Sequence, residues 1–187
     1  WKENNAFHLI NSQEESSSFS KAVQFNLLKE SFHQNGKYKS EDKAYVAYKR
    51  FEMLYELEDG IKLGGISALK ARVVYGFKWL LFDKAGLFAT APLRVFTSML
   101  FVLSFFAILY IILPHFVHAE IVSSVGDPDK LNLVEKSFYH SAITFFTIGY
   151  GDYYPSGHVR WLSAVEGWAG VFLMSYFTVA FVRRILR

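Results

Sequence analysis

Residues 137–152 read Ser-Phe-Tyr-His-Ser-Ala-Ile-Thr-Phe-Phe-Thr-Ile-Gly-Tyr-Gly-Asp, and this stretch decides the fold. Residues 137–146 are apolar and helix-compatible. At ~1.5 Å per residue they are too short to cross a ~30 Å hydrocarbon layer. Thr147-Ile148-Gly149-Tyr150-Gly151-Asp152 follows directly, with two glycines in an apolar setting. Non-helical backbone at membrane depth is tolerated only where protein buries it or where it lines a water-filled path. A short helix that enters, stops and returns as extended chain is a re-entrant loop. The C-terminal end of that helix, near residues 144–147, carries partial negative potential and favours a cation beyond it.

The flanks fit a membrane. Residues 95–117 carry no formal charge, and residues 161–182 carry one, Glu166; each run is long enough to span. Lys62, Lys70, Arg72, Lys78, Lys84 and Arg94 crowd the approach to the first run, and Arg183, Arg184 and Arg187 close the second. Basic outer flanks on both runs put both chain ends in the cytoplasm. The intervening loop then lies outside. Glu120, Asp127, Asp129 and Glu135 outweigh Lys130 and Lys136 in its first half, an acidic mouth that suits cations.

Thr-Ile-Gly-Tyr-Gly-Asp resembles the selectivity filter of potassium channels, whose TVGYG form is a known carbonyl ladder. Ile148 stands for the usual Val. Residues 95–187 as a whole resemble the two-transmembrane potassium channels: outer helix, pore helix, filter, inner helix. The resemblance implies that the carbonyls of Thr147, Ile148, Gly149 and Tyr150, with the Thr147 hydroxyl, replace the water shell of K+. Consecutive carbonyls face one way when left- and right-handed conformations alternate, and Gly149 and Gly151 tolerate φ > 0. Ile148 and Tyr150 then brace the strand from behind. One such loop cannot enclose a pore, so fourfold assembly follows from geometry.

Some positions depart from the family. The acidic residue that in some channels sits four positions before the filter threonine is here Ile143, so Asp152 needs another partner. Tyr139 and His140 occupy the aromatic-cuff positions, and either could donate to it. His140 reads as a structural histidine or a pH sensor. Glu166 is an intramembrane carboxylate, read as neutral or hydrogen-bonded behind the filter, with a functional role as the alternative. The resemblance puts Gly170 at the inner-helix hinge, with close helix packing as an equal reading. It puts Tyr154 at the outer mouth, with Tyr153 as the alternative axis-facing residue. Arg183, Arg184 and Arg187 are cytoplasmic membrane anchors.

Residues 1–60 are a different polymer. Ser16-Ser17-Ser18 offers a helix start. Phe19, Val23, Leu27 and Phe32 recur at helical spacing until Asn35-Gly36. Tyr45, Tyr48, Phe51 and Tyr55 carry a second helix that Glu58-Asp59-Gly60 closes. The expectation is a cytoplasmic helical hairpin, too small to be stable alone. Residues 61–94 form an interfacial linker with Leu69, Val73, Phe77, Leu80 and Leu81 on one face, and Gly86 and Pro92 mark bends. Their basic residues are too irregular for a voltage sensor.

Composition agrees. Of 187 residues, 52% are hydrophobic, 18% aromatic and only 20% charged. Extended disorder is excluded, and the absence of Cys excludes disulfides, Cys-ligated zinc and thiol catalysis. A net charge of +3 does not suggest nucleic acid. The first residue, Trp1, points to a fragment or processed chain, and nothing near it reads as a signal peptide. The expected fold class is an all-α membrane protein with two transmembrane helices, a re-entrant pore helix and filter, and an N-terminal hairpin. The expected function is passive K+ conduction by a homotetramer in a bacterial inner membrane. No enzymatic activity, cofactor or nucleic-acid partner is expected; potassium ions and the lipid bilayer are the partners. A nonselective cation channel and a membrane-anchored helical adaptor are the alternatives.

Overall fold

The computed structural model describes residues 3–117, 119–124, 126 and 131–186. The chain forms an all-α membrane protein with one small β-ribbon. It divides into two compact units. The first runs through Ala91 and includes the last turn of the final helix from Arg183; the second is Pro92–Val182.

In the first unit, α1 is Glu3–Asn11, α2 Ser18–Gln34 and α3 Tyr38–Lys62. Ser17 caps α2 by accepting from the Ser20 amide. The hairpin closes at its far end where Ser18 donates to Glu58 at 2.6 Å. Its core is aromatic: buried Phe25 stacks on Phe51 at 5.6 Å. The polar N-terminal segment holds a helix because Phe7 finds partners, 5.7 Å from Phe25 and 6.2 Å from Phe32.

Glu58-Asp59-Gly60 does not end α3, which continues to Lys62. Gly60 is instead a crossing point: a Cβ there would lie 2.4 Å from Ala71 Cβ on α4 (Gly65–Lys78). Residues 61–91 therefore pack with the hairpin rather than forming a separate linker. α4 passes into a wider π-type turn, Trp79–Lys84, where buried Asp83 receives both arms of Arg50 at 2.8 and 2.9 Å. The chain bends at Leu87, Phe88 and Ala89, all at positive φ, and not at Gly86. Leu69, Val73, Phe77 and Leu80 are exposed.

In the second unit, α5 is Pro92–Ile112, opened by Pro92 at a position that needs no amide hydrogen. β1 is Ile121–Ser123, α6 Leu133–Phe145, β2 Tyr153–Pro155 and α7 Arg160–Ile185. Pro92–His115 and Gly157–Ile185 are long and apolar enough to cross a membrane. Less than a third of either apolar window is buried, the reverse of a soluble core helix. β1 and β2 pair antiparallel, Val122 opposite Tyr154. This ribbon, unanticipated in the sequence, seats Ile121 and Tyr153 in one core cluster with Phe106, Tyr110 and Val159.

Candidate functional site

The loop between α6 and β2 is built from both ends. Asn132 and Glu135 form a reciprocal cap at the start of α6, with bonds of 2.8 and 3.0 Å. At the other end the Ile148 and Gly149 amides both donate to the Ile143 carbonyl, at 2.8 and 3.2 Å. Closing the helix this way forces Thr147 to φ +57°. A β-branched residue in the left-handed region is an outlier that costs ~1–3 kcal/mol, and such strain collects at functional sites. Gly149 at +60° and Gly151 at +74° follow, so left-handed residues alternate through the loop. The Ile148 and Tyr150 side chains are largely exposed within the single chain.

The strand leaving the loop is anchored. Tyr139 donates to Asp152 Oδ2 at 2.6 Å, and the Tyr153 amide donates to Oδ1 at 3.0 Å. His140 instead donates from Nδ1 to the Tyr153 carbonyl at 3.0 Å. The Ser124 amide holds the Asp152 carbonyl at 2.8 Å. Tyr153 is buried, its ring 5.7 Å from that of Tyr139, which leaves Tyr154 as the outward residue of the pair. The Arg160 guanidinium lies 5.3 Å from the Tyr154 ring.

Glu166 is fully buried. Tyr110 reaches its Oε2 at 2.8 Å, and Ser141 contacts its Oε1. Sequence reading singled out neither hydroxyl, nor Ser163 beside them. A Tyr on the first span and two Ser residues facing an intramembrane Glu were the available signal, but their meeting depends on three helices. A Cβ on Gly170 would sit 1.9 Å from the Phe145 carbonyl oxygen, so α7 passes unbroken against the end of α6 at that glycine.

Arg183 does not face outward. It pairs with Asp42 at 3.1 Å and lies 4.3 Å from the Tyr45 ring, within the first unit. Arg184 is exposed. Arg187, like Asp127, Asp129 and Lys130 of the outer loop, lies outside the described residues.

Residues 97–187 match the family model described as an ion channel. Over 67 residues the chain is 39% identical to protein LctB of Bacillus caldotenax, covering 35% of this chain and 50% of that protein. It is 37% identical over 68 residues to protein LctB of Geobacillus stearothermophilus, with the same coverage. The chain thus spans about half the length of the curated relatives it matches. No solved structure matches. Residues 97–187 are thus similar to an ion-channel domain, within an all-α membrane protein.

Proposed function

We propose that the chain is the subunit of a potassium-selective channel that works as a homotetramer. The observation that carries this reading is the alternation of positive φ at Thr147, Gly149 and Gly151 with Ile148 and Tyr150, which are not at positive φ. In an extended strand that alternation turns successive carbonyls to one side. Four strands around one axis would offer stacked rings of oxygens that replace the hydration shell of K+. The end of α6, pointing into the same loop, adds a partial negative potential. The exposed Ile148 and Tyr150 side chains would be covered by neighbouring subunits.

The carbonyls of Thr147, Ile148, Gly149 and Tyr150 and the Thr147 hydroxyl hold the ions; Gly151 completes the strand and Asp152 fixes its outer end. Conduction is passive. Both chain ends lie in the cytoplasm, by the basic flanks of the spans, and the setting is a bacterial inner membrane. The exposed apolar face of α4, with Lys70 and Lys78 near it, rests at the inner membrane surface. Arg184 sits where α7 leaves the membrane.

The test is flux from liposomes containing the purified chain. K+ efflux with little Na+ efflux, from tetramers in mild detergent, supports the proposal. Equal K+ and Na+ flux would point to a nonselective cation channel. No flux from well-folded protein would favour an adaptor.

A further inference from the structure

A row of side chains, buried except for the half-buried Ser163, runs from the second turn of α7 to the Tyr153 carbonyl. It has four contacts: Glu166 Oε2 to the Tyr110 hydroxyl at 2.8 Å, that hydroxyl to Ser163 Oγ at 3.0 Å, Ser163 Oγ to His140 Nε2 at 3.0 Å, and His140 Nδ1 to Tyr153 O at 3.0 Å. Each contact needs one hydrogen. A carbonyl only accepts, so His140 donates from Nδ1. A neutral imidazole then has no second hydrogen, so Ser163 must donate to Nε2 and Tyr110 to Ser163. The row closes only if Glu166 donates to Tyr110 as a carboxylic acid. With Glu166 ionised the other three contacts reverse: Tyr110 donates to Glu166, Ser163 to Tyr110, and His140 donates from both nitrogens as an imidazolium. Tyr110, Ser163 and a neutral His140 bring three hydrogens to four contacts. The fourth is titratable.

We infer that Glu166 and His140 hold one proton jointly through Tyr110 and Ser163, and that this proton positions the strand leaving the pore loop. Its transfer balances at every oxygen: the Glu166 O–H breaks, Tyr110 takes that hydrogen and passes its own to Ser163, and Ser163 passes its own to Nε2. When the proton is lost, one contact sets two lone pairs against each other. Glu166 is 0% and His140 5% exposed, so at the two ends of the row water does not replace a missing bond. The other end of the carboxylate accommodates both states. Ser141 contacts Oε1 and also reaches the Leu103 carbonyl at 2.9 Å, so its hydrogen can serve either.

The other groups facing the row are Thr144, Tyr139, Asp152 and Lys136. The Thr144 hydroxyl is 3.4 Å from His140 Nε2, beyond the range of a good bond. Tyr139 and Asp152 are bonded to each other, and the Lys136 ammonium lies 5.8 Å from the Tyr153 ring centroid. Glu166 and His140 are thus positioning residues for the loop. The inference rests on the channel reading, because a conducting filter is what reports the grip on Tyr153.

The experiment measures K+ flux and K+/Na+ discrimination of the full chain in liposomes, from mildly acid to alkaline buffer. The wild type is expected to lose conduction on the alkaline side. Glu166→Gln places an amide hydrogen where the carboxyl hydrogen would be, and base cannot remove it; the alkaline decline should disappear. Ser163→Ala cuts the row and should give a flat profile at the alkaline level. Tyr110→Phe, which keeps the ring packing, should do the same. Superimposable profiles for wild type and Glu166→Gln, with selective flux intact, would overturn the shared proton and leave the channel standing. A wild-type profile retained in both Ser163→Ala and Tyr110→Phe would overturn it equally. No wild-type K+ flux at any pH would sink the channel reading, and this inference with it.

Discussion

Asp83 in the first unit and Glu166 in the second are both sealed carboxylates, 5% and 0% exposed. Arg50 meets Asp83 with two parallel N–H donors at 2.8 and 2.9 Å, a geometry that fixes both the charge and the angle. Among the described residues, Glu166 is hydrogen-bonded by hydroxyls alone, from Tyr110 and Ser141. A guanidinium always carries charge, so the first carboxylate is held in one state. Hydroxyls donate and accept, so the second can exist in two. The units differ similarly where helices touch. Gly60 meets a methyl group, Ala71 Cβ, whereas Gly170 meets the Phe145 backbone carbonyl, at the end of α6 where the 146–152 loop begins. The first unit is held by contacts that can yield locally. The second is held through its backbone, so disturbance there reaches the loop.

The sharpest way to break this comparison is at the loop itself. Gly149→Ala adds a Cβ at φ +60°, which would distort the proposed carbonyl ladder, and selective conduction should be abolished. Reversal potentials under K+/Na+ gradients would check this, and unchanged discrimination would reject the filter assignment. Next come the two helix crossings. Gly170→Ala should eliminate conduction and reduce recovery of tetramers, because the carbonyl cannot move without the end of α6. Gly60→Ala should cost the first unit roughly 1–3 kcal/mol by overpacking, seen in thermal unfolding, while flux persists. If Gly170→Ala still forms conducting tetramers but with altered open probability, the glycine acts as a hinge and the contrast between the crossings fails.

The carboxylates themselves give a smaller effect. Asp83→Asn leaves Arg50 without its charged partner, and Arg50 is half exposed, so water compensates in part. A loss of about 1–2 kcal/mol is expected in unfolding of the first unit, with no change in the pH profile of flux. A pH profile altered by Asp83→Asn would mean that the pH response does not belong to Glu166 alone. The smallest effect concerns the outer mouth. External tetraethylammonium should block through the Tyr154 ring, and Tyr154→Val should weaken block. Arg160 already occupies one ring face at 5.3 Å, so ~0.5–1 kcal/mol, about two- to fivefold, is the expected change. Equal block in wild type and Tyr154→Val would remove Tyr154 from the mouth without touching the filter residues.

Sequence by itself determined whatever depends on local pattern. Two apolar runs, a short helix and the Thr147–Asp152 glycine spacing define an all-α membrane domain, because span length and left-handed tolerance are properties of neighbouring residues. The α2–α3 hairpin was legible for the same reason, from its aromatic spacing. Tertiary structure decided what depends on distant residues meeting. Gly60 read as a helix end because glycine usually punctuates; only the approach of Ala71 makes it a crossing. Tyr139 and His140 were equal candidates for Asp152 until the ribbon set Tyr153 between them, giving one the carboxylate and the other the carbonyl. Arg183 read as a lipid anchor, but Asp42 and Tyr45 lie far away in sequence. Glu166 was visible as an anomaly, yet its meaning lies in hydroxyls from residues 110, 141 and 163. Hydrogen bonds are counted in space, and no spacing along one helix supplies that count.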